Sequence, residues 1–130
     1  MDGTTLQQYA RDRAEELPQA IMEYPFGPDY EVYKIRGKVF MLLTDVTGEP
    51  IVILKSPPNE AQALRAAYEE ISPGYHMNKR HWITLSPGGA IDQPLVDELV
   101  TESYLLVIEK NLPKHEQPVD PQTFGQEESL

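Results

Sequence analysis

Two short stretches hold most of the side chains able to do chemistry. One is Tyr33-Lys34-Ile35-Arg36-Gly37-Lys38, and the other is His76-Met77-Asn78-Lys79-Arg80-His81-Trp82. Lys34 and Arg36 are two positions apart, so on a strand both side chains leave the same face. Lys38 lies just past the Gly37 turn and joins them. Lys79, Arg80 and His81 form a second basic group, carried on a loop. Lysine and arginine contact phosphate oxygens, and the neighbouring rings of Tyr33, Tyr75 and Trp82 offer surfaces for base stacking. If the two groups meet on the folded sheet, Lys34, Arg36, Lys38, Lys79, Arg80 and His81 make a nucleic-acid-binding surface. Its five permanent cations imply a log–log salt slope of about −4.5. The competing reading is a solvated sheet face beside a structural loop, with Asn78 in a left-handed turn and the Trp82 ring anchored in the core.

Other chemistries fit less well. His76 and His81 are five apart, which puts them on opposite faces of an extended chain, and Lys79 and Arg80 repel a divalent cation, so no metal site is expected. Lys79, His81 and Tyr104 can move protons, but no set of nucleophile, base and orienting group declares itself. There is no Gly-x-Ser-x-Gly, no phosphate-cradling glycine loop and no paired His-Glu helix motif. The expectation is a protein that is not an enzyme, with no catalytic residues and no cofactor. Asp12, Glu15 and Glu16, and the pair Glu98 and Glu102, read as acidic helix faces that serve solubility.

The charge balance constrains the partners. The chain has 130 residues and a formal net charge of −10, unevenly spread. Residues 1–30 carry −4, residues 31–81 carry +1 and residues 82–130 carry −7. Only the middle can attract a polyanion. With no cysteine, disulfides and thiolate sites are excluded. Met1-Asp2-Gly3-Thr4-Thr5 lacks the basic start and apolar stretch of a signal peptide, and the apolar runs are far too short to span a bilayer. We expect a cytoplasmic monomer without membrane contact.

The elements that must position the basic groups follow from periodicity. Leu6, Tyr9, Ala10, Ala14 and Leu17 lie on one helical face, with Thr5 and Gln8 resembling a capping box and Pro18 ending the helix. Residues 23–29 read as a loop. Strands are predicted at 31–36, 38–44 and 51–54, joined by short turns as an antiparallel meander. A second helix begins near Pro57-Pro58, with Ala61, Leu64, Tyr68 and Ile71 facing inward, and stops at Ser72-Pro73-Gly74. Residues 81–85 make a fourth strand, with a short extra strand possible around Ala90 and Ile91. The third helix runs from Gln93 to Asn111 behind an Asp92 N-cap. From Pro113 onward the composition predicts disorder. The order α-β-β-β-α-β-(β)-α implies an α+β fold, a two-layer sandwich with an antiparallel sheet and helices on one face.

Two segments also carry a family signature. Tyr24-Pro25-Phe26-Gly27-Pro28-Asp29 followed by residues 32–40, and Pro73 through Trp82, together with Ser103-Tyr104 and Leu112-Pro113-Lys114, resemble the MmcQ/YjbR family of small bacterial proteins. The resemblance spans residues 4 to 114. It implies a domain over residues 1–114 with a CyaY-like or secretion-chaperone-like fold; residues 115–130 fall outside it, and their composition predicts a flexible acidic tail. It also implies DNA as a partner, since β-hairpin wings have been suggested as contact elements in this family. The alternative is a protein-interaction domain with no affinity for nucleic acid, docking partners on an open sheet face, an edge strand or the apolar residues around Pro25-Phe26.

Overall fold

The computed structural model describes residues 1–125. Asp2 starts helix α1 (Gly3–Glu16), its carboxylate accepting from the Thr5 N–H at 2.7 Å. The cap is therefore Asp2 and not Thr5. Leu6, Ala10 and Ala14 form the buried stripe of α1. After Pro18 the chain turns at Gln19 (φ 62°) into β1 (Ala20–Glu23), a strand that the sequence does not predict and that overlaps the expected loop only at Glu23. β2 (Tyr30–Ile35), β3 (Lys38–Thr44) and β4 (Ile51–Lys55) form the expected meander. α2 (Pro58–Ala67) follows, then β5 (Ile71–Pro73), β6 (Trp82–Leu85) and α3 (Gln93–Asn111). Ile71 thus belongs to a strand, and α2 ends before Tyr68. Residues 90 and 91 form no strand; the Ala90 N–H instead donates to Glu70 Oε2 at 2.7 Å, and Ile91 is buried.

All six strands pair antiparallel in the order β1-β2-β3-β4-β6-β5. This is the expected two-layer α+β sandwich, with α1 and α3 laid across the central strands. The helix side of the sheet buries Tyr33, Ile35, Phe40, Met41, Leu43, Val52, Leu54, Ile83 and Leu85. Phe40 and Met41 are neighbours and both face the helices. A bulge in β3 permits this, because Tyr33 opposes Met41 while Lys34 opposes Val39. The bulge leaves the Phe40 carbonyl off the ladder, and α3 supplies its partner. The Ser103 hydroxyl donates to Phe40 O at 2.6 Å and accepts from the Lys55 N–H at 2.9 Å. Beside it Tyr104 meets Phe40 edge-on at 5.5 Å and donates to Pro18 O at 2.7 Å. α3 is thereby locked to β3, to β4 and to the α1–β1 connection.

The opposite face of the sheet is not open. Val32, Leu42, Ile51, Ile53 and Trp82 form a second apolar cluster there, and Tyr75 and Met77 of the β5–β6 loop fold over it. That loop is fastened at its base. Thr84 Oγ1 accepts from the Tyr75 N–H at 2.9 Å and donates to Pro73 O at 3.0 Å.

The chain stays on the domain after Pro113. Where composition predicts disorder, residues 114–116 form a 3₁₀ turn, and Gln117 Nε2 donates to the carbonyls of Ile108 and Leu112 at the end of α3. Val119 and Phe124 then pack on the core, Phe124 beside Tyr104. Those two apolar residues and one capping glutamine anchor the segment despite its three prolines. The rest of the predicted tail, residues 126–130, lies outside the described residues.

Candidate nucleic-acid interface

The sheet register decides where each cation stands. β2 and β3 meet in a two-residue turn, Arg36-Gly37, with both residues at positive φ (47° and 82°). That is the conformation that suits the right-handed twist of a tight hairpin. Arg36 is therefore off the strand, and the two-residue spacing from Lys34 does not put them on one face. Lys34 opposes Val39 and Ile21 on the loop-covered face, where its ammonium meets Glu23 Oε1 at 3.0 Å. Arg36 is exposed and lies 3.7 Å from Glu116. Lys38 opposes Ile35 and so points with it toward the helix side, away from Lys34.

The loop group is divided too. Lys79 Nζ donates to the Gly74 carbonyl at 2.6 Å, closing its own loop. The Asn78 side chain accepts from the Arg80 N–H at 2.9 Å, and its carbonyl accepts from the Trp82 N–H at 3.0 Å. The left-handed residue of this loop is His76 (φ 55°), not Asn78. The Arg80 and His81 side chains are exposed, and neither is in an ion pair or side-chain hydrogen bond among the described residues. Tyr33 is buried on the helix side and Trp82 in the second cluster, so neither ring is free to stack on a base; Tyr75 is half-buried.

Both basic groups nevertheless reach one end of the sheet. The β2–β3 turn, the last residue of β4 and the first of β6 are all there, since Lys55 opposes Trp82 and Ser56 N–H donates to His81 O at 2.9 Å. Lys55, absent from the sequence-based set, sits between the turn and the loop. The signal for it was available, because in a meander the start of β3 and the end of β4 share an end. Its ammonium donates to Asn111 Oδ1 at 3.2 Å, and burial lowers its pKa. This contact also brings the last turn of α3, with Lys110, and the following Lys114 to the same end. From β2 to β6 the row spans about 14 Å at the usual strand spacing. The other end of the sheet is acidic, with Asp29, Asp45 and Glu49 in the loops beside Tyr30, Thr44 and Ile51.

A sequence model of the YjbR family matches residues 15–106. The chain belongs to the YjbR family. Among its relatives is the Uncharacterized protein YbdF of Escherichia coli O157:H7, 40% identical over 121 residues, which are 93% of this chain and 99% of that one. The Uncharacterized protein YjbR of Escherichia coli (strain K12) is 32% identical over 71 residues, 55% of this chain and 60% of that one. Two solved structures of similar chains share the fold of this YjbR domain. A Deinococcus radiodurans protein, DR2400, has a TM-score of 0.75 and 33% identity over 82% of this chain and 80% of its own. A Pseudomonas syringae protein has a TM-score of 0.67 and 30% identity over 77% of this chain and 96% of its own. Both basic segments of this YjbR-family chain fall inside the matched residues. No helix among its described residues is long and apolar enough to cross a membrane.

Proposed function

We propose that this YjbR-family chain is a non-enzymatic module that holds a nucleic-acid backbone at the cationic end of its sheet. The observation that supports the reading is the shared end itself. Arg36, Lys38 and Arg80, from segments more than forty residues apart, stand on one row with Lys55 between them. A row of about 14 Å is comparable with the major-groove width of about 12 Å. The net charge of −10 restricts approach to this end, because the opposite end repels phosphate. Lys34 and Lys79 are engaged by Glu23 and Gly74, and Arg36 must leave Glu116, 3.7 Å away, to reach phosphate, so the contacts come down to at most about three cations, and the expected salt slope is about −2.7 at its steepest.

Titration of labelled duplex DNA at several salt concentrations tests this. Lys38→Ala with Arg80→Ala should weaken binding alike on all sequences and flatten the slope by about 2. Lys34→Ala should leave it nearly unchanged. Absence of binding at low salt, or binding that ignores salt, rejects the proposal.

A different observation favours the second reading, a protein-interaction domain without nucleic-acid affinity. The outer edge of the sheet, β1 and the loop after it, exposes Ile21, Met22, Tyr24 and Phe26. On that reading Ile21→Ser with Phe26→Ser abolishes partner capture, and no salt condition yields a DNA complex.

A further inference from the structure

α3 packs against α1 on one side, but on its other side a groove of about 330 Å³ separates it from α2. The groove is floored by Leu64 of α2 and by Leu95 and Leu99 of α3. Glu60 stands on one wall. Glu98 and Glu102, four residues apart and so on one face of α3, stand on the other. Among the described residues, no lysine or arginine lines it. The carboxylates are close enough to feel one another: burial, then the charges of Glu60 and Glu98, raise the Glu102 pKa. Each wall is about 10 Å long at the helical rise, from Glu60 to Ala67 and from Leu95 to Glu102.

We propose that this groove docks a cationic amphipathic helix of a partner protein, with about two turns in contact. Its apolar side chains would lie on the leucine floor, and its lysines or arginines would answer the three glutamates. The single sign of the rim excludes acidic peptides and nucleic acid. A small molecule is also a poor fit. The walls are exposed at Glu60, Glu98 and Glu102, and the groove is open along its length, whereas small-molecule pockets enclose most of their ligand. The exposed methyls of Ala63 and Ala67 let a helix backbone approach α2 closely. A helix in this position would extend the layer already formed by α1 and α3. The proposal is independent of the cationic end.

The test uses the full chain and a fluorescein-labelled peptide of about 14 Leu, Ala and Lys residues, long enough to be helical, with leucines at i, i+3, i+4 and i+7. Anisotropy at low salt should show saturable binding, and amide shifts should map to α2 and α3. The combination Glu60→Gln, Glu98→Gln and Glu102→Gln should weaken binding about tenfold. Ala63→Arg, at an exposed position, should weaken it similarly. Removing as many charges from α1, by Asp12→Asn, Glu15→Gln and Glu16→Gln, should change affinity less than about twofold. An equal loss from the α1 variant would mean generic attraction to an acidic protein and overturn the proposal. So would lack of saturable binding, or equal binding of a peptide with glutamate in place of lysine.

Discussion

The two faces of the sheet are closed by different means. On the helix side, α1 and α3 cover a large cluster with regular, repeating stripes of side chains. On the other side, a loop of irregular backbone covers a smaller cluster with two side chains, Tyr75 and Met77. A helix satisfies its own backbone, whereas a loop laid over an apolar face needs a partner for each buried polar group. The β5–β6 loop finds them in Thr84, Asn78 and the Lys79 ammonium. Residue types that suggest a binding surface are therefore divided between two tasks. Lys79, Tyr75 and Trp82 hold the cover in place, while Arg80 and His81 stay free at its edge.

The largest effect should come from the Trp82 ring, the centre of the loop-covered cluster. Trp82→Ala should cost about 3–5 kcal/mol in urea denaturation, because no helix can move in to fill the space. A cost under about 1 kcal/mol would mean that the second cluster contributes little and that the two faces are more unequal than their burial suggests. Gly74→Ala probes the same closure from the backbone side. An added Cβ would overlap Trp82 Cβ and stand 3.0 Å from its carbonyl carbon. It should cost about 1–3 kcal/mol.

The helix side has its own probe, set by pH. The Tyr104 hydroxyl donates to Pro18 O, and burial pushes its pKa up to about 12 from an ordinary value of 10.0. Tyr33, on the same face, moves in the same direction, again chiefly through burial. Below pH 10 both the folded and unfolded chains keep these phenols protonated, and no stability is lost. Above it the unfolded chain ionises first, so stability falls as pH rises toward 12. Tyr104→Phe should cost about 1 kcal/mol at neutral pH, through the lost hydrogen bond, and should flatten that alkaline decline. An unchanged decline would assign it to other groups. On the loop-covered face Tyr30 moves in the same direction, chiefly through burial, so it adds to that decline while Trp82 does not.

Much of this contrast was legible in the sequence, and its limits are physical. α3 was readable end to end because Asp92, a long apolar periodicity and Pro113 mark its start, face and stop. The meander was readable from its β-branched runs and short turns. β1 was not, because three of its four residues are exposed and no alternation betrays the strand. β5, with three residues and a proline, carries too little signal for any periodicity. At the candidate site, the presence of two basic groups was legible, but whether they meet depended on the folded sheet. Their faces were not legible. The positive φ of Arg36 breaks the two-residue alternation on which the face assignment rested, and the two-residue turn sets Lys38 opposite Ile35 and so on the other face from Lys34. Lys55 was legible only through the meander, which sets the end of β4 beside the start of β3.

The smallest effect is also the one that separates structural from binding lysines most directly. Lys79→Met keeps the length and apolar stem of the side chain and removes only the charge that donates to Gly74 O. Lys38→Met removes a charge with no ion-pair partner among the described residues. Lys79 is exposed, so solvent competes for its bond, and the loss of stability should be about 0.5–1 kcal/mol. Lys38→Met should leave stability within about 0.5 kcal/mol. DNA affinity should respond in the opposite order, with Lys38→Met flattening the salt slope by about 0.9 and Lys79→Met leaving it unchanged. Measuring both quantities on both variants makes the division a crossed comparison, so a general loss of folding cannot imitate it. If Lys79→Met flattens the slope as much as Lys38→Met does, the ammonium leaves Gly74 for phosphate, and the loop belongs with the hairpin turn in the binding surface.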